Sequence, residues 1–275
     1  SIELANLDSE ENITILEIGP GPGALTQELL RTGANVVAIE LDRAAIQFLN
    51  QHFIDEITSG KLKLIEGDAL RVEWPNEITH IVSNIPYQIS SPLLKRIELS
   101  THSIQQIILL LQEEFASRLS GDGGPSNVGP LSLMTSLSWT VKKDLKISPN
   151  SFFPPPRVYS RIVKLDRIDR IKQLVELPPF SNNELIPPPP ELIGKICRHC
   201  FNNRRKKIRN TLSKFGASNN YEMNSWNEIF SKLSTSEYDG YLGEGWLNRR
   251  PEELKIVDWV ILSAVIIKVS NKNDN

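Results

Sequence analysis

The first 165 residues alternate short runs of β-forming residues with longer segments whose apolar residues recur at helical spacing. The candidate strands are residues 14–18, 35–39, 62–65, 80–83, 106–111 and 161–165, with a seventh near 141–147. Such alternation predicts a parallel sheet with helices on both faces. We therefore predict an α/β fold built on a Rossmann-like, seven-stranded sheet.

The composition changes after Asp166. Residues 178–190 contain six prolines, which can continue neither a helix nor a central strand. From residue 191 onward the apolar spacing is helical. We predict an α/β domain at 1–167, a proline-rich linker at 168–190 and a small α-helical domain at 191–275.

Two cysteines, Cys197 and Cys200, are separated by two residues. A zinc site would need two further ligands, and only His199 is near. We therefore expect two reduced thiols on one helix and no metal. Reduced thiols, the absence of a signal peptide and the lack of an apolar run of roughly 20 residues predict a cytoplasmic protein without a membrane anchor.

A glycine-rich loop directly follows the first predicted strand and contains Gly19, Gly21 and Gly23. Glycines let a backbone turn sharply and approach a ligand closely. Glu40 ends the second strand, 21 residues after Gly19, where a carboxylate can hold two ribose hydroxyls. The loop and Glu40 together predict a nucleotide-like cofactor.

Nicotinamide enzymes share this arrangement, but their loop reads G-x-G-x-x-G. Here the loop reads G-x-G-x-G after Glu17, and it resembles the first motif of S-adenosylmethionine-dependent methyltransferases. Gly67-Asp68-Ala69 follows the third strand, where a carboxylate could accept from an adenine amino group. We predict S-adenosylmethionine as the cofactor, with contacts that include Asp68 and Ala69.

Asn84-Ile-Pro-Tyr87 follows the fourth strand. An adenine amino nitrogen is a poor nucleophile, so acceptors that hold its two hydrogens would aim its lone pair at a methyl group. The Asn84 side chain and the carbonyl of Ile85 or Pro86 could supply those acceptors, and Tyr87 could stack an unstacked base. Catalysis would then depend on positioning and electrostatic preorganisation, with in-line methyl transfer from a positively charged sulfur.

Further along, Phe152 lies in a segment stiffened by three consecutive prolines. It is a candidate for the second wall of a base pocket with Tyr87. Taken alone, the same segment is more typical of a proline-rich loop with a core phenylalanine.

These residues together resemble the ribosomal RNA adenine-N6 dimethyltransferase family, whose members dimethylate two adjacent adenosines near the 3′ end of small-subunit RNA. The matching stretches are residues 16–23, 37–42, 66–69, 84–92, 111–118, 152–158 and 201–210. The resemblance implies cofactor contacts at Gly19, Glu40, Asp68 and Asn84. It implies target-adenine contacts at Asn84, Pro86, Tyr87 and Phe152, and a structural role for Gln112, Glu114 and Arg118.

The chain departs from the family at its start. Members carry a Q-x-F-L type segment before the first strand, which helps to enclose the cofactor. This sequence begins with Ser1 after that point, so an amino-terminal piece is expected to be missing. A second departure is Val128, where many members have an aromatic residue.

Residues 195–214 contain eight basic residues and no acidic one, although the whole chain has a net charge of −2. Such an asymmetry is typical of a strip that contacts RNA phosphates. We predict RNA contacts by Arg204, Arg205, Lys206, Lys207 and Arg209. The predicted partner is RNA of the small ribosomal subunit or its precursor, bound by a monomer.

Three alternatives remain open at this point. Methylation of DNA adenine or of protein glutamine usually uses a second proline where this chain has Ile85. The antibiotic-resistance enzymes that dimethylate large-subunit RNA share the Asn84–Tyr87 pattern. A ribosome-assembly or transcription factor that has lost catalysis would keep the fold for RNA binding, but it would not need Glu40, Asp68 and Asn84 together.

Overall fold

The protein is represented by a computed structural model that describes residues 13–98, 104–218 and 223–271. The chain divides into two compact units. The first comprises Ser1–Ser117 and Trp139–Arg167, and the second comprises Arg118–Ser138 and Ile168–Asn275.

A seven-stranded sheet is the framework of the first unit. Its strands are β1 (Thr14–Ile18), β2 (Asn35–Glu40), β3 (Leu62–Glu66), β4 (His80–Ser83), β5 (Gln106–Gln112), β6 (Trp139–Ile147) and β7 (Ser160–Arg167). They lie in the order β3-β2-β1-β4-β5-β7-β6. All seven predicted strands are present, and the predicted α/β class is confirmed.

The sheet is mixed, because β7 runs antiparallel to both of its neighbours, β5 and β6. We expected a parallel sheet. Residues 148–159 join β6 to β7 without an α-helix, and antiparallel strands can be joined in this way, whereas parallel strands need a longer crossover.

Helices α1 (Ala24–Arg31), α2 (Arg43–His52), α3 (Ile54–Thr58) and α4 (Ser90–Glu98) belong to the first unit. Leu29 of α1 and Leu49 of α2 share one hydrophobic cluster with Ile15 and Val36 of the sheet. All five residues of β1 are buried, as is typical of a central strand covered on both faces. Helix α5 (Glu113–Ser120) contains the point at which the chain passes to the second unit.

The second unit is helical in the part of the chain that the structure describes. Its helices are α6 (Pro130–Ser138), α7 (Arg170–Val175), α8 (Pro190–Phe201), α9 (Ile208–Leu212), α10 (Phe215–Ser218), α11 (Met223–Leu233), α12 (Asp239–Leu242) and α13 (Ile256–Asn271). Trp226, Trp246 and Trp259 are buried in its core. Helix α13 is apolar around most of its circumference and is largely buried, as is typical of a helix at the centre of a bundle.

These units differ from the predicted ranges in two places. Leu133 and Leu137 of α6 pack in the core of the second unit, although residues 118–138 lie within the predicted first domain. The predicted linker at 168–190 contains α7. Two other residues of this range, Phe180 and Leu185, are buried in the core of the second unit.

Both cysteines lie on α8, buried and without a disulfide. Burial raises the pKa of both thiols, to about 11 for Cys200. Within the described ranges, no group of three or more His, Cys, Asp or Glu side chains could hold a metal ion. None of the helices at residues 13–98, 104–218 and 223–271 is long and apolar enough to cross a membrane.

Candidate active site

The glycine loop and Asn84 meet at the point where the strand order of the sheet reverses. Strands β1 and β4 are parallel neighbours, so their carboxyl ends lie at one edge of the sheet. Ligands of open α/β sheets bind outside the carboxyl ends of the strands at such a switch point. A Cβ placed on Gly19 would lie 3.8 Å from Cδ of Pro86, so the loop is in van der Waals range of the turn after β4.

Ser83 joins the two strands at this edge. Its buried hydroxyl donates to the carbonyl of Ile18 over 2.6 Å and accepts from the amide of Ile18 over 3.2 Å. The paired register of β1 and β4 extends only to Leu16 and Ile81. The Ser83 side chain therefore fixes the position of Asn84 relative to the glycine loop.

The loop needs glycine at its three predicted positions because the φ angles of Gly19, Gly21 and Gly23 are 67°, 55° and 83°. A Cβ on Gly23 would also lie 2.6 Å from the Phe53 ring. Around Gly21 a Cβ would meet no atom within 4 Å. The loop thus leaves open space at Gly21, where a ligand can approach the backbone.

Glu40 lies at the carboxyl end of β2 with its carboxylate turned toward this loop. One oxygen accepts from the amide of Gly21 over 3.0 Å, and the other accepts from the amides of Leu41 and Asp42 over 2.7 and 2.9 Å. A carboxylate has about four lone-pair sites, so acceptor capacity remains for a ligand. The predicted cofactor residues Glu40 and Gly21 are therefore in direct contact.

Gly67 and Asp68 follow β3 at the same edge. The Gly67 amide donates to the carbonyl of Glu40 over 2.7 Å, and a Cβ on Gly67 would overlap Val72 at 2.3 Å. One oxygen of Asp68 accepts from the amide of Leu70 over 2.9 Å. Its other oxygen lies 3.4 Å from Nε of Arg71 in an exposed pair, which is weak enough to exchange for a ligand. Ala69 is buried, and its carbonyl accepts from the Trp74 indole.

Glu17 is a carboxyl group inside β1, with an exposed fraction of only 2%. One of its oxygens accepts from the Thr26 hydroxyl over 2.6 Å. Burial, with a smaller contribution from the charge of Glu40, raises the pKa of Glu17 from 4.5 to about 7, and the Thr26 hydrogen bond opposes that rise. Near neutral pH, Glu17 is therefore divided between its protonated and charged forms.

In the turn after β4, one buried residue lies between two exposed residues. Ile85 is 1% exposed, whereas Asn84 and Pro86 are exposed. The carbonyl of Pro86 accepts from the amide of Ile89 over 3.1 Å. Tyr87 is half-buried, so it is neither buried in the core nor fully exposed to solvent.

The Tyr87 ring is held by β7. Its hydroxyl lies 2.6 Å from Oγ of Ser160, which is fully buried. Phe152 is half-buried in the loop at 148–159, and this loop ends where Ile147 pairs with Ser160. The structure therefore brings the loop that carries Phe152 to the edge that holds Tyr87.

The predicted RNA residues lie in the second unit: residues 204–207 lie between α8 and α9, and Arg209 lies in the first turn of α9. Arg205, Lys206, Lys207 and Arg209 are exposed. Arg204 differs from them, because its guanidinium donates to the carbonyls of Pro125 and Ser126 over 2.6 and 3.2 Å. Arg204 thus holds the loop at 125–128, and its RNA contact stays a prediction.

A family model of ribosomal RNA adenine dimethylase matches residues 2–235. The chain belongs to this family. The ribosomal RNA small subunit methyltransferase A of Prochlorococcus marinus (strain MIT 9515) is 32% identical over 281 residues, covering 98% of this chain and 90% of that protein. A dimethyladenosine transferase from Plasmodium falciparum has a similar crystal structure, with a TM-score of 0.71 and 26% identity over 94% of this chain and 90% of that chain. The 23S rRNA methyltransferase ErmE shares the fold, with a TM-score of 0.65 and 22% identity over 96% of each chain.

As a ribosomal RNA adenine dimethylase, the protein is an enzyme that uses S-adenosylmethionine as methyl donor. The residues present fit this cofactor. Glu40 offers a carboxylate to ribose hydroxyls, the backbone at Gly21 is open to close approach, and Asp68 offers an acceptor to an amino group. The carboxylate of Glu40, which lies at the glycine loop, also favours a ligand that carries a positive sulfonium.

Sequence reasoning missed four side chains that position this dimethylase site. Ser83 and Ser160 hold the turn after β4, and Thr26 holds Glu17. Arg161 forms a two-bond ion pair with Glu113, at 2.8 and 3.0 Å, where β5 meets β7. The partners of Ser83, Ser160 and Arg161 are 48 to 73 residues away in the sequence, so no local spacing indicated them.

Proposed function

We propose that this dimethylase adds two methyl groups to N6 of each of two adjacent adenosines near the 3′ end of small-subunit ribosomal RNA. The small-subunit assignment is supported by the similarity to the Prochlorococcus marinus protein, which covers 98% of this chain and 90% of that protein. We further propose that it acts as a monomer in the cytoplasm during ribosome assembly. The observation that carries the proposal is the exposed Asn84 turn, which lies against the glycine loop at the switch point of the sheet.

The target amino group requires two hydrogen-bond acceptors. We assign these to the Asn84 side-chain oxygen and the Ile85 carbonyl, because the Pro86 carbonyl already accepts from Ile89. Holding both hydrogens directs the nitrogen lone pair out of conjugation with the ring and toward the glycine loop. When bound, S-adenosylmethionine supplies an electrophilic methyl group on a positively charged sulfur.

The aromatic residues position the target base. Tyr87 presents its ring while its hydroxyl is fixed by Ser160, and Phe152 is the proposed opposite wall. Stacking on aromatic side chains stabilises an unstacked base by about 1–3 kcal/mol. No strong general base is needed, since the product ammonium group is acidic and loses its proton readily to solvent. The chain therefore contributes orientation and electrostatic preorganisation.

The test is incubation of immature small subunits with labelled S-adenosylmethionine, followed by mapping of the modified nucleotides. We expect N6,N6-dimethyladenosine at two adjacent positions near the 3′ end. Large subunits treated in parallel are the control. Label confined to large-subunit RNA would identify the antibiotic-resistance activity, and RNA binding without label would identify a non-catalytic assembly factor; either result would refute the proposal.

A further inference from the structure

The hairpin formed by β6 and β7, residues 139–167, is strongly basic. It contains seven Lys or Arg residues and two Asp residues, a net charge of +5, whereas the whole chain has a net charge of −2. The basic residues are Lys142, Lys143, Lys146, Arg157, Arg161, Lys164 and Arg167. This concentration lies in the first unit, in a different unit from the basic residues between α8 and α9.

Two pairs of cations face each other directly across the hairpin. Lys142 is paired with Lys164, and Lys146 is paired with Arg161. Like charges in such positions destabilise a sheet. Arg161 is compensated by Glu113, and Lys164 lies 3.4 Å from Asp166, while Lys142 and Lys146 are exposed. Lysines on an edge strand oppose pairing between molecules, but this does not account for the exposed Arg157 in the loop.

The loop of this hairpin, residues 148–159, also exposes aromatic rings. Phe153 has an exposed fraction of 101%, and Tyr159 has one of 49%. Nζ of Lys146 lies 4.5 Å from the centre of the Tyr159 ring. Exposed aromatic side chains next to cations are the combination that binds single-stranded nucleic acid, since the rings stack on bases and the cations contact phosphates.

The strand register places this loop at the catalytic edge of the sheet. Gln112, the last residue of β5, pairs with Ser160, and Ser160 pairs with Ile147. The hairpin loop therefore leaves the sheet where β5 ends, at the edge that carries Asn84. At this end of β7, Oγ of Ser160 lies 2.6 Å from the Tyr87 hydroxyl. Phe153 directly follows Phe152, the proposed wall of the base pocket.

We propose that the hairpin loop is a second RNA contact, in which the nucleotide next to the extruded adenosine stacks on Phe153 while Arg157 and Lys146 contact its phosphates. The proposal rests on the proposed function, because it assumes that an adenosine occupies the pocket. A target of two adjacent adenosines fits this arrangement. While one base is in the pocket, its neighbour is held on the loop and the strand stays in place between methylation rounds.

The stacking part is tested with Phe153→Ala and Phe153→Trp, using a short single-stranded RNA that contains the target sequence. RNA affinity is measured by fluorescence anisotropy, so that binding is read independently of methylation. We expect Phe153→Ala to weaken binding by roughly ten-fold to one hundred-fold and Phe153→Trp to bind within a few-fold of wild type. The matched control is Ile54→Ala, which removes another exposed apolar side chain, 60% exposed, from helix α3.

The phosphate part is tested with Arg157→Ala. Its plot of log affinity against log salt concentration should be shallower than that of wild type by about 0.7, the contribution of one phosphate contact on a single strand. The control is Lys61→Ala, because Lys61 is exposed and precedes β3 at the opposite edge of the sheet. Affinity for S-adenosylmethionine, measured by calorimetry, should be the same in all of these variants.

Equal RNA affinity of Phe153→Ala and Ile54→Ala would overturn the proposal. An effect seen with intact subunits but absent with naked RNA would also overturn it, since a ribosomal protein would then be the partner of Phe153. Failure of the proposed function is distinguishable from both results, because wild-type protein would then fail to methylate small subunits whatever the anisotropy shows.

Discussion

Glu17 illustrates, at the scale of single residues, how a site residue conflicts with its local environment. It is an ionisable side chain within a fully buried strand, and burial raises its pKa to about 7. The apolar residues on either side of Glu17 in β1 predict an aliphatic side chain at this position. Conflicts of this kind are expected at functional sites, and the position of Glu17 next to the glycine loop agrees with that expectation.

The raised pKa of Glu17 predicts a dependence of stability on pH. Because the folded protein holds this proton more tightly than the unfolded chain, the contribution is fully present below about pH 4.5 and is lost as pH rises through about 7. Glu17→Gln should remove this decline, which amounts to at most about 3 kcal/mol. Thr26→Val should extend the decline to higher pH, because the Thr26 hydrogen bond lowers the pKa of Glu17 in the folded protein. Urea denaturation at several pH values measures both, and an unchanged decline in Glu17→Gln would contradict the assignment.

The hydrogen bond between Tyr87 and Ser160 predicts coupled effects on catalysis. Tyr87→Phe keeps the ring but releases it from β7, so we expect a several-fold lower single-turnover rate and a loss of about 1 kcal/mol of folding stability. Ser160→Ala removes the same bond from the other side. The double variant should be no slower than the slower single variant, giving a coupling energy of about 1 kcal/mol. Additive effects would show that the bond does not act on the ring.

At the scale of elements, the basic turn between α8 and α9 contains two kinds of arginine. Arg205 is exposed, whereas Arg204 donates to loop carbonyls almost 80 positions earlier in the chain. Arg205→Ala combined with Lys207→Ala should lower RNA affinity and make its salt dependence shallower by between one and two units, since each residue accounts for about one phosphate contact. Cofactor affinity should not change.

Arg204→Ala is the matched variant for this prediction. It should lower the melting temperature because three carbonyls of residues 125–128 lose their donor. The salt dependence of RNA binding should remain that of wild type. If Arg204→Ala changed the salt dependence as much as the double variant, the structural role assigned to Arg204 would be wrong.

The sequence was sufficient for the strands and for the glycine loop, because apolar runs and glycine spacing are local signals. It did not reveal that β7 runs antiparallel, since strand direction depends on pairing between distant segments. It also did not separate Arg204 from Arg205, because a charge run does not show which guanidinium finds carbonyl partners. Ser83 and Ser160 gave no signal, as small polar residues are common at strand ends.

At the scale of the whole molecule, helix α6 belongs to the second unit although it lies between strands of the first. Leu133 and Leu137 are buried in the second core. A fragment that ends at residue 167 should therefore expose an apolar helix, bind a hydrophobic dye and aggregate. The same fragment with a short Gly-Ser linker joining Ser117 directly to Trp139 lacks α6. It should unfold cooperatively without binding the dye. Equal behaviour of the two fragments would contradict the division into units.

The central claim is that Asn84 holds the target amino group for methyl transfer. The most direct measurement is the single-turnover rate of Asn84→Ala on immature small subunits, with cofactor affinity measured on the same preparation. Loss of one preorganised hydrogen-bond partner predicts a rate about 100-fold to 1,000-fold lower, with cofactor affinity reduced by less than about ten-fold. A rate within a few-fold of wild type would contradict the account, as would a loss explained entirely by weaker cofactor binding.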